Sequence, residues 1–490
     1  MEGLSIVGVG GLEVSEDDWM ATPSSIKAVV LALIQQIKEL KADNQELKKR
    51  LADLDEKLKT DSSNSSKPPS SDPPGSLPNR RQPTGKPKGG QKGHPGNHRS
   101  LVPPEKVKTF KDHYPAKCSG CGCDLPEGAS DGSEPARHQV WDLPPIVQAE
   151  VTEHRCHRAL CANCGVTSRA ILPHDVPSGM FGPGLAAMVA WLLGGYRLSR
   201  RQCQSILETG FGVEISLGGL KNAEVLVSES IEQATEGVGS AVQQADVANG
   251  DDTGWNEDNS SAVLWNFNTP NLAYFKITPF KDQETAKEIL GDFQGFLGSD
   301  RAKTYGFVPM EKSQSCLGHI DRHFQRMEDR GGESGIVGQW GKAELDKFFH
   351  HWHEFKRGET TRDQLKASTE PVRRSMEWLL DCGIECSHSK TANTCANLSK
   401  ALPSFWTCVE HPGIEPTNNS SERELRHGVQ WRRTSFGTKS DSGSRFVERM
   451  LTSVATCRLQ GRNLYDFLKE SVEAFIKGVP GPLLAPGSSP

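Results

Sequence analysis

The sequence predicts a multidomain α+β protein: an N-terminal coiled coil, a zinc-binding β module, a helical region, and an α/β core with a mainly helical stretch inside it. Three observations lead there. A heptad runs unbroken from residue 26 to 58, two C-x-x-C turns sit at 118 and 161, and β-rich runs alternate with helical periods between 250 and 300. The 490 residues suit about three domains.

Residues 1–25 form a tail, and 26–59 the coiled coil. Apolar residues at Ile26, Val30, Leu33, Ile37, Leu40, Leu47, Leu51, Leu54 and Leu58 alternate spacings of four and three, with Asn44 on the same seam. That period fits a left-handed coiled coil, and a seam Asn favours an in-register pair. Asp43 with Lys48, and Arg50 with Asp55, are attractive across a parallel dimer. The competing reading is an amphipathic helix packed on its own domain.

Residues 60–112 are rich in Pro, Gly and Ser, a composition that cannot bury enough apolar surface to offset ordering entropy. The formal charge of -5 hides a basic arm: from Ser76 to Lys117, ten Lys and Arg face only Glu105 and Asp112. Arg80, Arg81, Lys86, Lys88 and Lys92 are the candidate DNA contacts, with salt-sensitive affinity. A solubilising linker is the alternative.

Residues 113–175 hold CSGC and CANC, with strand-like alternation between them (IVQAEVTEHRC). Two thiolates from each turn, Cys118, Cys121, Cys161 and Cys164, would complete a tetrahedral structural Zn²⁺ site, with Cys123, Cys156 and His157 as spare ligands. Thirteen cysteines, an odd number, favour thiols and metal ligands over a disulfide framework. The N-terminus has no basic region followed by a long apolar core, and LAAMVAWLLGG is about half a membrane span, so a cytoplasmic protein without a membrane segment is expected.

Residues 176–245 read as helical, with a helix, glycine turn and helix between Tyr196 and Val227. Ser216 caps the second helix. A DNA-reading helix-turn-helix with Lys221 near DNA and an ordinary helical hairpin fit equally well.

Residues 246–325 open the core. NGDDTGW leads into β-rich runs split by Asn, Thr and Pro, then a helix (DQETAKEILGDF), a strand ending at Asp300, and another strand (SQSCLGHI) running into a helix from about Asp321. Residues 326–410 are mainly helical. Residues 411–478 return to the core through TNNSSERELR, a helix start with Thr417, Asn418 or Asn419 as cap, and 479–490 form a tail. Asp251, Asp300 and Glu422 therefore fall on a strand, a strand end and a helix's opening turn, which can converge. Three carboxylates in one cleft need cations, and hard oxygen ligands suit two Mg²⁺ or Mn²⁺ ions for phosphoryl displacement. Taken singly, each acid also reads as a turn or cap residue.

GDDTGW, GSDRAKTYG, CLGHIDRHF and the long stretch from PTNNSSERELRHGVQW to GRNLYDFL resemble the transposases of the insertion sequence 66 family, as do the zipper, the SSNSSKPPSSD and GGQKGHPG linker and the paired knuckles. The resemblance implies an RNase H-like fold with a helical insertion, and a DDE triad at Asp251, Asp300 and Glu422. It implies binding of terminal inverted repeats, Mg²⁺-dependent strand cleavage, strand transfer to target DNA, a homodimer or higher assembly, and accessory proteins encoded by the element. Two departures stand out. The family has Asp-Glu-Thr where this chain has Asp251-Asp252-Thr253, leaving Asp252 as a competing ligand, and Trp where it has Leu317. Arg423, Arg426, Arg432, Arg433 and Lys439, with Trp431 and Phe436 among them, suit a phosphate-facing surface. His319 and Arg322 are candidates to position DNA or the metal ligands. GTKS at 437 lacks the first glycine of a phosphate loop. The rival classes are a DNA-binding regulator that no longer cuts and a structure-selective nuclease.

Overall fold

The structure, a computed structural model, describes residues 6–7, 13–14, 16–58, 60–61, 64, 101–141, 149–177 and 179–485. They form two compact units. One comprises Met1–Asn79, Gly239–Gly254 and Ala262–His427; the other comprises Arg80–Val238, Trp255–Ser261 and Gly428–Pro490.

In the first unit the heptad forms one continuous 35-residue helix, α1 (Ser24–Leu58). Its seam residues Leu33, Leu40, Leu47, Leu51 and Leu54 are exposed, and Arg50 pairs with Glu46 of its own helix at 2.9 Å. Past the helix, buried Asn64 donates to Asp329 Oδ2 (2.9 Å) and accepts from Arg326 Nε (2.9 Å).

The five-stranded mixed sheet comes from β1 (Val247–Glu257), β2 (Ser260–Asn268), β3 (Ala273–Thr278), β4 (Phe296–Ser299) and β5 (Ser313–Ser315), in the order β3-β2-β1-β4-β5. β2 and β3 pair antiparallel through the predicted hairpin, with Trp265 opposite Lys276. β4 is parallel to both β1 and β5, and helix α2 (Gln283–Leu290) lies in the crossover between β3 and β4. Asp282 caps α2 by accepting from Thr285 N at 2.8 Å. On one face Trp265 and Phe267 stack 6.4 Å apart, and the Tyr305 ring meets both edge-on.

The helical stretch begins earlier than expected. Only Ser313–Ser315 is strand; α3 (Leu317–Arg330) starts at Leu317, with the Cys316 carbonyl accepting from His319 N and Ile320 N. The reason is the apolar period Leu317, Ile320, Phe324, Met327, all buried, which is helical from its first member. Then follow α4 (Gly332–Lys356), α5 (Arg362–Ile384) and α6 (Ser389–Ala401). Phe324, Phe348, Trp352, Leu379, Phe405 and Trp406 fill their shared core, with Val247 and Phe296 of the sheet packed against it. Helix α7 (Asn419–Ser435) carries the chain out of this unit.

In the second unit, helices Arg200–Phe211 and Leu217–Ser230 flank Gly212, which sits at φ 66 as the left-handed cap. Ser216 caps the second helix as expected, accepting from Gly219 N at 3.0 Å. Lys221 Nζ lies 3.8 Å from Glu224 Oε2 and 3.5 Å from Ser442 Oγ. Arg449, on helix Asp441–Gln460, bonds to the Ser228 carbonyl and to Glu232.

The two C-x-x-C turns are built alike. Cys118 N donates to Cys123 O and Gly122 N to Cys118 O; Cys161 N donates to Val166 O and Gly165 N to Cys161 O, all at 2.9 Å. The alternation expected upstream of Cys156 makes no strand among the described residues of 149–157. The strands are Arg158–Leu160 and Thr167–Arg169, an antiparallel pair around the second knuckle. Close turns need partners for their backbone, and these two short strands supply them.

Candidate active site

Asp251 and Asp252 lie within β1, next to Gly250. A Cβ on Gly250 would stand 2.8 Å from the Phe267 ring, so the close approach of β2's aromatic side requires glycine immediately before the acids. Asp300 follows the last residue of β4. Its Oδ1 accepts from Ala302 N at 2.9 Å, and Arg301 between them takes a left-handed φ of 65, which turns the chain sharply at the strand end. Glu422 lies in the first turn of α7, its N–H donating to the Asn418 carbonyl at 3.1 Å. Asn418 therefore holds the cap position through its backbone alone; its buried side-chain amide has no hydrogen-bond partner.

Asp300 and Glu422 both lie near enough to Asp251 to act on its charge. Burial holds the Asp251 carboxyl well above the ordinary carboxylate range, the charge of Asp300 adds to it, and Glu422 and Asp252 add further. Asp252 is different. Burial raises it, but Lys281 Nζ sits 2.6 Å from its Oδ2 and opposes the rise; Asp300 acts on it more weakly than Lys281. Asp251 thus feels the charge of both distant acids, whereas Asp252 is engaged by a cation. Buried Tyr305 has a hydroxyl with no hydrogen-bond partner, and burial and then the charges of Asp252, Asp251 and Asp300 keep it protonated.

His319 borders the same cluster. Arg322 Nη1 lies 3.1 Å from its Nε2, and a guanidinium only donates, so Nε2 accepts and the ring proton is on Nδ1. That nitrogen stands 3.8 Å from Glu422 Oε1. Burial first, and then Arg322, lowers the His319 pKa and keeps the ring neutral. Cys316, three residues earlier, is buried, which pushes its thiol up to about 11. A cavity of about 630 Å³ lined by Gln243, Asp246, Val247, Phe296 and His411 lies at the start of β1 and touches none of these acids.

Asp251→Asn is expected to stabilise the metal-free protein by about 2–4 °C in melting temperature. The native state holds the Asp251 proton to higher pH than the unfolded chain does. Between the ordinary carboxylate pKa and the raised one, the unfolded state therefore binds fewer protons, and stability falls as pH rises. The gain from Asn should grow over that window. Thermal melts in chelator at several pH values measure it; a destabilised variant at neutral pH rejects the crowded-carboxylate account.

Residues 178–445, more than half of the chain, match the family described as Transposase IS66 family. The chain belongs to that family. It is thus a transposase, a DNA-processing enzyme that binds DNA. Residues 22–100 match a second family, described as a family of unknown function (DUF6444). No curated protein matches the chain.

The transposase's predicted DNA contacts divide. Arg80, Arg81, Lys86, Lys88 and Lys92 lie outside the described residues. Arg423 and Arg426 are exposed on the early turns of α7, Arg433 is exposed near its end, and Arg432 is half-buried there. Exposed Lys439 bonds to Asn259 Oδ1 at 2.8 Å. Trp431 is not part of a phosphate-facing surface: it is buried against Phe446, with ring centres 6.2 Å apart, while Phe436 is exposed. In each knuckle the second cysteine and its neighbours hydrogen-bond the first. The Cys121 and Gly120 backbone, with the Cys121 thiol, lowers the Cys118 pKa; the Asn163 and Cys164 backbone, with the Cys164 thiol, lowers that of Cys161. Among the described residues no helix is long and apolar enough to cross a membrane. Sequence reasoning missed Lys281 and Tyr305. Both are ordinary strand-edge and loop residues by pattern, and only the fold brings them to the acids.

Proposed function

We propose that this transposase cuts and joins DNA by a DDE mechanism on an RNase H-like core, with Asp251, Asp300 and Glu422 as its catalytic residues. The observation that carries the reading is that the fold brings half-buried Asp300 and Glu422 near enough to half-buried Asp251 for both charges to act on it. Neighbouring carboxylates form an oxygen donor set for hard dications, the chemistry that two Mg²⁺ or Mn²⁺ ions require. When bound, those ions make water or a 3′ hydroxyl nucleophilic and neutralise the leaving oxygen. Asp251 is the better ligand than Asp252, whose charge Lys281 already balances. Asn64 of the linker is tied by its bonds with Arg326 and Asp329 to α3, the helix that presents His319.

The remaining parts serve assembly and DNA binding in this reading. Terminal inverted repeats and target DNA meet the basic linker and the arginines of α7. The matching knuckle turns support Cys118, Cys121, Cys161 and Cys164 as ligands of a structural Zn²⁺, although among the described residues these cysteines do not gather into one ligand cluster, and the exposed α1 seam pairs with a second copy, giving a dimer or higher assembly. Accessory proteins of the element join the complex, which works in the cytoplasm.

The test is a plasmid carrying the element's own ends, incubated with the full chain and Mg²⁺ or EDTA. Cleavage and strand transfer with Mg²⁺ alone support the reading. DNA binding without cleavage points to a regulator, and cleavage indifferent to the ends points to a nuclease. For the seam, Asn44→Leu is expected to raise the thermal stability of the assembly while broadening its oligomer distribution in light scattering, because the seam Asn favours one register at a cost in stability. An unchanged monomer in both chains rejects the coiled coil.

A further inference from the structure

Helix α3 opens with Cys316, Leu317, Gly318, His319, which puts a thiol at the cap position and an imidazole one turn along. Glu422 reaches the same point from α7. One ligand atom from each of the three lies within 4.8 Å of the others, and this is the only such group of three or more among the described residues. Protein atoms do not satisfy the polar groups here. His319 Nδ1 has no hydrogen bond, nor do either of the side-chain polar atoms of Asn418, which is 0% exposed and whose backbone N–H reaches Cys316 Sγ at 3.4 Å. Buried polar atoms in native structures are nearly always partnered, so this pocket is built for something the chain does not supply.

The donor set says what. Mg²⁺ takes oxygen ligands and keeps its waters. A thiolate, an imidazole and one carboxylate instead match Zn²⁺-class ions, which bind through three protein ligands with a fourth position open. We propose that Cys316, His319 and Glu422 form a second metal site, for Zn²⁺ or a similarly thiophilic dication, which competes with the hard-metal site for Glu422. The competition rests on the catalytic reading of Glu422 given above; the site itself does not. On binding, the Cys316 proton passes to solvent and the His319 ring proton moves from Nδ1 to Nε2, which releases the bond from Arg322. Zn²⁺ then draws Glu422 toward α3 and inhibits the enzyme, whereas Mg²⁺ does not fill this site.

The full chain, stripped with chelator and dialysed against Co²⁺ in excess Mg²⁺, tests it. Wild type is expected to bind one more equivalent than Cys316→Ser or His319→Gln, and to show thiolate-to-cobalt absorption that both variants lack in part. Serine keeps an acceptor for Asn418 N–H, and circular dichroism identifies whichever variant is folded. Equal stoichiometry in wild type and a folded variant overturns the site. In a second arm, Zn²⁺ should displace bound Mn²⁺ from wild type but not from Cys316→Ser; Mn²⁺ retained in both overturns the competition. If Asp251→Asn leaves Mn²⁺ binding unchanged, the catalytic reading fails on its own and the cobalt result is unaffected.

Discussion

Asp300→Asn is expected to lose about a thousandfold or more in Mg²⁺-dependent strand cleavage while its affinity for DNA stays within about twofold. Charge stabilisation by bound metal contributes several kcal/mol to phosphoryl displacement, and each 1.4 kcal/mol is about tenfold in rate. Asn preserves the fold locally, since its side-chain oxygen still accepts from Ala302 N, the 2.9 Å bond that shapes the turn after β4. What it removes is the largest charge acting on Asp251. The same substitution therefore lowers the Asp251 pKa toward the usual carboxylate range, visible by carbonyl NMR in the metal-free protein. Gel shifts and nicking on the element's ends, run side by side, separate the two effects. An Asp300→Asn protein that cuts as fast as wild type would falsify the assignment.

The largest effect on folding is expected where α3 and α4 touch. Phe324 is fully buried, and a Cβ on Gly341 would lie 2.3 Å from its ring. Nearby, a Cβ on Gly338 would meet the Glu328 backbone nitrogen at 2.3 Å. The two helices therefore approach backbone to backbone, and no side chain fits between them. Phe324→Ala should cost about 3–5 kcal/mol, and Gly341→Ala about 1–3 kcal/mol through overpacking. Combined, they should cost less than the sum, because the added methyl enters the space the ring leaves. Urea unfolding of the three variants decides it; strict additivity would mean the residues do not share that contact. Because α3 also presents His319, activity should fall in both single variants further than DNA binding does.

Much of the layout was legible because periodicity is a local property. The helical period of α1, the cap at Ser216, the β2–β3 hairpin and the strand leading to Asp300 each follow from residues a few positions apart. The pattern is ambiguous where a period rests on a short run. SQSCLGHI contains three strand residues followed by a helix, and its apolar spacing of three and four only declares itself once Phe324 and Met327 are counted. The described part of the alternation before Cys156, residues 149–155, forms no strand, since alternation makes a ladder only where a second strand lies beside it. Trp431 looked like an aromatic among arginines, whereas burial against Phe446 makes it a core residue.

By itself, the sequence determined which side chains were available: three acids on a strand, a strand end and a helix start, a glycine before the first, paired C-x-x-C turns, and a family likeness that its match over residues 178–445 bears out. Only the tertiary structure decided how they meet. It set Asp251 toward Asp300 and Glu422, gave Asp252 to Lys281, and put Cys316 and His319 beside the glutamate. The physical reason is range. Propensity and periodicity act over a turn or a strand, but the pKa of a half-buried carboxyl and the choice of its ion depend on groups the fold brings close from distant parts of the chain.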